Sequence, residues 1–197
     1  MKCKNAVILA GGKSRRMKFD KQELEINGEK LIGRTIQILS TIFDGITVVT
    51  NRPELYEKYK VNTISDIYPG FGPISGIHTA LHHAKDDLIF VMACDMPYIN
   101  LEFIKYLDKE YQDEDGVITT KGNHIEPLNA IYSKALLGKI EENIRKGKYR
   151  ISDLVAVSRF KLIDEEKAKK FDPDLKMFRN LNTPEDLEEL LNHLKSN

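Results

Sequence analysis

Between Leu9 and Lys21 the chain reads Leu-Ala-Gly-Gly-Lys-Ser-Arg-Arg-Met-Lys-Phe-Asp-Lys. Two glycines let the backbone approach a ligand with no Cβ in the way. The cations Lys13, Arg15, Arg16, Lys18 and Lys21 follow too densely for an ordinary turn. Backbone N–H groups beside clustered positive charge make a cradle for a phosphate chain. Two other phosphate loops are excluded by spacing. A P-loop ending at Gly12-Lys13-Ser14 would need glycine at Val7, and a dinucleotide fingerprint starting at Gly11 would need glycines where Lys13 and Arg16 stand. Ser14-Arg15-Arg16 imitates a twin-arginine signal, but Asp20-Lys21-Gln22-Glu23 follows instead of an apolar segment.

A second candidate is Asp95, in Cys94-Asp95-Met96-Pro97 after the apolar run Leu88–Ala93. A carboxylate at the end of a buried parallel strand projects into a ligand crevice. One such group suits Mg²⁺, which binds one or two carboxylates together with phosphate oxygens and water. The plainer reading is a turn before Pro97. The stretch from Asp66 to Gly76, Asp-Ile-Tyr-Pro-Gly-Phe-Gly-Pro-Ile-Ser-Gly, allows close backbone approach and starts a helix whose N–H groups could hold a ribose or phosphate oxygen. His78 and His82 have the i,i+4 spacing of metal ligands but no third ligand, which reads as a partly exposed helix face. Cys94 has no His partner and reads as inert packing, and Asp164–Lys170 reads as a solvated helix.

These residues need elements to position them. Asn5–Ile8, Gly45–Thr50, Asn62–Ser65, Leu88–Ala93, Gly116–Thr120 and Ile125–Ser133 read as strands. Helices are expected near Lys30–Phe43, Ile74–His83, Asn100–Tyr111, Ala135–Lys146 and Ser152–Val157. A terminal helix opens at Thr183-Pro184-Glu185-Asp186, with Thr183 as N-cap, Pro184 in first position and Asp186 completing a capping pattern. Alternation of this kind predicts an α/β fold with a mainly parallel central sheet and helices on both faces. Ligands sit beyond the carboxyl ends of such strands, where the glycine loop begins.

Composition narrows the function classes. At 197 residues the chain fits one domain spanning 1–197, and no linker or repeat suggests a second. Lys+Arg 30 balance Asp+Glu 30, so no global field favours nucleic acid or membrane, and the local positive charge favours a small anion. The apolar runs are too short to span a membrane or serve as a signal core. Two distant cysteines, Cys3 and Cys94, fit a reducing cytoplasm.

The motif Leu9-Ala10-Gly11-Gly12-x-Ser14-x-Arg16-Met17-x-x-Asp20-Lys21 resembles the signature of nucleotidyltransferases with a Rossmann-like three-layer sandwich, the nucleotide-diphospho-sugar transferase type. The resemblance is closest to the molybdenum cofactor guanylyltransferases. It continues through Gly72-Pro73-Ile74-Ser75-Gly76-Ile77, Cys94-Asp95-Met96-Pro97, Pro127-Leu128-x-Ala130-x-Tyr132 and Asn180-Leu181-Asn182-Thr183-Pro184-Glu185-Asp186-Leu187. It implies transfer of GMP from GTP to the phosphate of molybdopterin or Mo-molybdopterin, with loss of pyrophosphate. Leu9, Ala10, Gly11 and Gly12 are implied to line the guanine and phosphate site. Lys21 and Arg16 are implied to meet the triphosphate, Asn51 and Asp66 the nucleoside, Asp95 the Mg²⁺ and nucleotide, and Asn180 and Asn182 the pterin. Pterin-delivery proteins or molybdoenzyme chaperones are the implied protein partners. One departure is Lys18, where the family has glycine: either the loop is rearranged there or Lys18 adds charge. Spacing leaves open CTP in place of GTP, or another phosphorylated acceptor. From a different class, a nucleotide-binding regulatory protein without turnover is the alternative.

Overall fold

A computed structural model describes residues 1–11, 24–26 and 28–195, less the side chains at 193 and 195. The elements run β1 (Asn5–Leu9), β2 (Glu25–Ile26), β3 (Glu29–Lys30), α1 (Leu31–Leu39), β4 (Gly45–Val49) and β5 (Asn62–Ile64). There follow α2 (Pro73–His83), β6 (Leu88–Ala93), α3 (Leu101–Glu110), β7 (Gly116–Lys121) and β8 (His124–Ser133). The chain ends with α4 (Leu137–Arg145), α5 (Ile151–Ala156), β9 (Phe160–Ile163), α6 (Glu165–Lys169) and α7 (Pro184–Lys195). Seven strands form one sheet in the order β5-β4-β1-β6-β8-β7-β9, and β2 pairs with β3 as a separate ribbon.

Side chains of successive strand residues point to opposite faces, and both faces of this sheet are covered. Ala6, Ile8, Phe90 and Met92 join one core with Ile32, Ile36 and Leu39 of α1 and Phe103, Ile104 and Leu107 of α3. Val7, Leu9, Ile89 and Val91 join the other with Ile74, Ile77 and Leu81 of α2 and Ile140 of α4. Two-sided burial explains why β6 is an unbroken apolar run with all six residues buried. A third, smaller cluster joins Leu24, Ile26 and Leu31 to Leu181 and to Leu190 of α7.

The expected mainly parallel sheet is present, with β8 as its reversed strand. The reversal is local: Lys121 pairs with His124, so Gly122 and Asn123 make a two-residue hairpin, with Gly122 at φ 55°. Such turns join only antiparallel strands. The sequence reading included neither the β2–β3 ribbon, two residues per strand, nor β9, whose four residues sit among charges. It also carried α1 to Phe43, whereas the helix stops at Leu39. There Ser40 Oγ donates back to the Ile36 carbonyl at 2.7 Å, and Thr41 Oγ1 to that of Ile38 at 2.6 Å. The start of the expected Ala135 helix is a 3₁₀ turn, Lys134–Leu136. The charged 164–170 stretch is not wholly solvated, because Ala168 is fully buried.

Gly116 is required by a close approach. A Cβ there would lie 2.4 Å from the Ile131 carbonyl oxygen and 2.6 Å from the Phe160 ring. Gly116→Ala should therefore destabilise the protein by about 1–3 kcal/mol, the usual cost of overpacking, measured by urea unfolding. An unchanged midpoint would contradict this packing of β7 between β8 and β9.

Candidate functional site

Four neighbouring parallel strands end in register. Leu9 is opposite Val49 and Ala93, and Val49 is opposite Ile64. Two residues beyond these stand Gly11, Asn51, Asp66 and Asp95, a row set by register alone. Backbone hydrogen bonds extend the alignment past the strand ends. Ala10 N–H donates to the Val49 carbonyl (2.9 Å), Thr50 N–H to that of Ile64 (2.9 Å) and Cys94 N–H to that of Leu9 (3.1 Å). Leu9 and Ala10 are buried beneath the row, while Gly11 and Asn51 are exposed. Among the described residues, a Cβ at Gly11 would meet nothing within 4 Å. Gly12, Arg16, Lys18 and Lys21 lie outside the described residues.

Asp66 closes the loop leading into α2. Its carboxylate accepts from Ser75 Oγ (2.7 Å), Thr79 Oγ1 (3.2 Å) and Tyr68 N–H (3.1 Å). A carboxylate has about four lone-pair positions, so three are filled from within the protein. Gly70 and Gly72 take φ of 98° and 78°, conformations that favour glycine, and turn the chain into Pro73 at the start of α2. Gly76 lets that helix approach β1: a Cβ there would sit 3.0 Å from Leu9 Cδ2.

Asp95 is partly exposed at the carboxyl end of β6, next to buried Cys94. Its backbone carbonyl accepts from Leu181 N–H at 2.8 Å, which brings exposed Asn180 and Asn182 to the same end of the sheet from 85 residues away. Leu181 is 2% exposed and packs in the cluster containing Leu24 and Ile26, where the chain returns from the glycine loop. The expected cap of α7 is formed. Asp186 accepts from the N–H groups of Asn182 (2.7 Å) and Thr183 (2.8 Å), and Asp186 N–H donates to Thr183 Oγ1 (3.2 Å). The Asn182 N–H, with those of Thr183, holds the Asp186 carboxyl below its ordinary value.

The sequence reading missed Asn129. It is 4% exposed, at φ 72°, and its Nδ2 donates to the Met177 carbonyl at 3.2 Å, tying β8 to the turn that leads into Asn180. Backbone strain of this kind gives no local sequence signal beyond Asn's tolerance of positive φ. The expectation for His78 is corrected. It is buried at 2% exposure, its Nε2 is 3.1 Å from Glu141 Oε1, and its ring lies 5.0 Å from that of Tyr68. It faces α4, whose arrival no local pattern announces, while His82 is exposed. No group of three or more His, Cys, Asp or Glu among the described residues could hold a metal by itself. Both cysteine thiols are free and buried, and burial pushes Cys3 up to about 12.

Asp186→Ala removes the reciprocal half of this capping box and should cost about 1 kcal/mol of stability, seen as a lowered urea midpoint. The sign with pH follows from the depressed Asp186 value. The carboxylate's contribution is complete above the ordinary Asp range and is lost as pH falls through the lower folded value. The difference between wild type and variant should therefore be present at pH 7 and disappear in strong acid.

The model of the MobA-like NTP transferase domain matches residues 6–162. A probable molybdenum cofactor guanylyltransferase of Peptoclostridium acidaminophilum is 45% identical over 190 residues, covering 93% of this chain and 86% of that protein. The molybdenum cofactor guanylyltransferase of Syntrophotalea carbinolica is 42% identical over 190 residues, covering 95% and 90%. The crystal structure of molybdopterin-guanine dinucleotide biosynthesis protein A from Archaeoglobus fulgidus superposes with a TM-score of 0.85 at 29% identity, covering 98% of this chain and 100% of that one. With its row of residues in register at the strand ends and this match over most of its length, the chain belongs to the MobA-like NTP transferase family.

Proposed function

We propose that the protein transfers GMP from GTP to the terminal phosphate of molybdopterin, or of its molybdenum-bearing form, releasing pyrophosphate. The observation that carries this reading is the hydrogen bond from Leu181 N–H to the Asp95 carbonyl. It joins the sheet end that offers a nucleotide site to the Asn180–Asn182 segment. That segment lies beyond residue 162, where the family match ends, but inside the span shared with the guanylyltransferase-named relatives.

The acceptor phosphate is already ionised at neutral pH, so no serine, cysteine or histidine nucleophile is needed. Catalysis is in-line positioning together with charge neutralisation. Leu9, Ala10 and Gly11 form the floor on which the base and phosphates lie, and Asn51 and the remaining lone pair of Asp66 orient the nucleoside. Arg16 and Lys21 stabilise charge on the departing pyrophosphate. Asn180 and Asn182 hold the pterin by hydrogen bonds. A lone carboxylate at Asp95, with substrate phosphate oxygens and water, is a donor set that fits Mg²⁺. Mg²⁺ bound there would supply Lewis-acid stabilisation of phosphate charge. Among the described residues no helix is long and apolar enough to cross a membrane. We place the reaction in the cytoplasm, with pterin-delivery proteins or molybdoenzyme chaperones as partners.

Purified protein with Mg²⁺ and molybdopterin should release pyrophosphate and form the nucleotidylated pterin with GTP. Product with CTP alone would overturn the base assignment, and thermal stabilisation by GTP without any product would favour a binder without turnover. Asp95→Asn should lose roughly 100-fold or more in turnover while remaining folded, the scale of removing one preorganised electrostatic group. Wild-type-like turnover in that variant would refute the role of Asp95. Lys21→Ala should weaken GTP binding and turnover together, read by titration and steady-state kinetics.

A further inference from the structure

Strand register places three polar side chains of β7 and β8 on one face of the sheet. Val117 and Ile163 lie in the core that α1 and α3 cover. Thr119 follows Val117 by two residues and stands opposite Ile163, so it takes the same face. Glu126 stands opposite Thr119 across β8 and takes that face too. Above them the strands fall out of step. Val117 is opposite Ile131 and Thr119 opposite Glu126, so β8 makes five residue steps where β7 makes two. Asn129 lies in this bulge, and its Nδ2 donates to the carbonyl of Met177, which packs in the same core.

All three are short of hydrogen-bond donors. Thr119 is fully buried and Asn129 is 4% exposed, yet neither Thr119 Oγ1 nor Asn129 Oδ1 has a partner among the described residues. Unpaired buried oxygens are uncommon in folded proteins, and two in one bulge point to a donor from outside the chain. Glu126 is half-buried. The charged groups that face it are Lys121 of β7 and His124 of β8, both exposed, and neither forms an ion pair with it. Burial outweighs their attraction and raises the Glu126 carboxyl above its ordinary value. Taking a carboxylate out of water without donors is unfavourable, so ionised Glu126 opposes folding of the free protein. A carboxylate with a purely structural role would not do so.

The place of Glu126 fits the acceptor side of the site. β8 adjoins β6, whose end carries Asp95, and Met177 lies three residues before Asn180. By register Glu126 is level with Met92, three strand residues or about 10 Å short of Asp95. Asn51 and Asp66, which orient the nucleoside, stand on the other side of β1. Molybdopterin carries its phosphate at one end of a fused ring system and a ring N–H beside an amino group at the other. Two parallel N–H donors match the two oxygens of a carboxylate. We propose that the Glu126 carboxylate recognises the acceptor by accepting hydrogen bonds from this amino-lactam edge of the pterin. This rests on the GMP-transfer reading for the identity of the acceptor. Guanine presents the same edge, and it is the position of Glu126 beyond β6 that assigns the contact to the pterin.

The test is Glu126→Gln, which keeps the size of the side chain and replaces one accepting oxygen with an NH2 group that opposes the pterin's own donors. KM for molybdopterin should rise about tenfold or more while KM for GTP stays within about twofold, since a charge-assisted hydrogen bond is worth that much. Glu102→Gln, exposed on α3, controls for lost charge and should leave both KM values as in wild type. The urea midpoint separates recognition from a structural role. With its carboxyl raised in the folded protein, Glu126 lowers stability as pH rises through that value. At pH 7 Glu126→Gln should therefore unfold at or above the wild-type midpoint, and any gap should close in acid, where both side chains are neutral. A lower midpoint at pH 7, an unchanged KM for molybdopterin, a rise confined to GTP, or an equal rise in the control would overturn the assignment. If wild type releases no pyrophosphate from GTP and molybdopterin, the transfer reading fails by itself. Glu126 is then tested by titrating both proteins with pterin and with lumazine, which has oxygen in place of pterin's amino group. Tighter binding of pterin than of lumazine by wild type, with the preference lost in Glu126→Gln, supports the contact. Equal binding of the two, or none, overturns it.

Discussion

Four parallel strands stop at the same height, and the site follows from that constraint. Leu9, Val49, Ile64 and Ala93 are held level by sheet hydrogen bonds, so the residues two positions on become neighbours despite being 84 apart at the extremes. Neighbouring strands are separated by about 4.8 Å, so the row from Asp66 to Asp95 spans four adjacent strand positions. A one-residue slip of any strand would move its side chains from one core to the other, each of which is packed around the set it already holds. The packing that stabilises the fold is therefore also what aligns the candidate chemistry.

The row is supported from two sides that differ in kind. On the α2 side, side-chain hydrogen bonds to Asp66 shape the loop and bring Gly76 against Leu9. On the other side a backbone hydrogen bond and a small apolar cluster bring in a distant segment. With Leu24, Ile26 and Leu31 from just after the glycine loop, that cluster lets α7 contact the return of the loop and the flank of Asp95 together. Asn129, in a backbone conformation uncommon for a non-glycine residue, ties the same segment to β8.

Much of this was legible in the sequence, for physical reasons that differ by residue. The buried strands were readable because two-sided burial leaves continuous apolar runs, as in Leu88–Ala93. The cap of α7 was readable because its chemistry lies within five residues, Asn182 to Asp186. Asp95 and Gly11 were placed because strand ends can be located from periodicity. What could not be read depends on distant partners or on very short elements. His78 was assigned to a partly exposed face because α4 is more than fifty residues away, and β9 and the β2–β3 ribbon were too short for their pattern to rise above the surrounding charge. The Gly122-Asn123 turn carried a signal that identifies β8 as the reversed strand.

The attachment of the Asn180–Asn182 segment has a consequence for divergence. Its anchor is main chain to main chain, Leu181 N–H to the Asp95 carbonyl, with the Leu181 side chain as an apolar plug. That hydrogen bond is made by backbone atoms, whatever the flanking side chains are. The fold thus separates where a side chain stands from which side chain it is. A change at either flanking position leaves that main-chain hydrogen bond available, so the segment keeps its place beside the carboxylate without repacking the sheet.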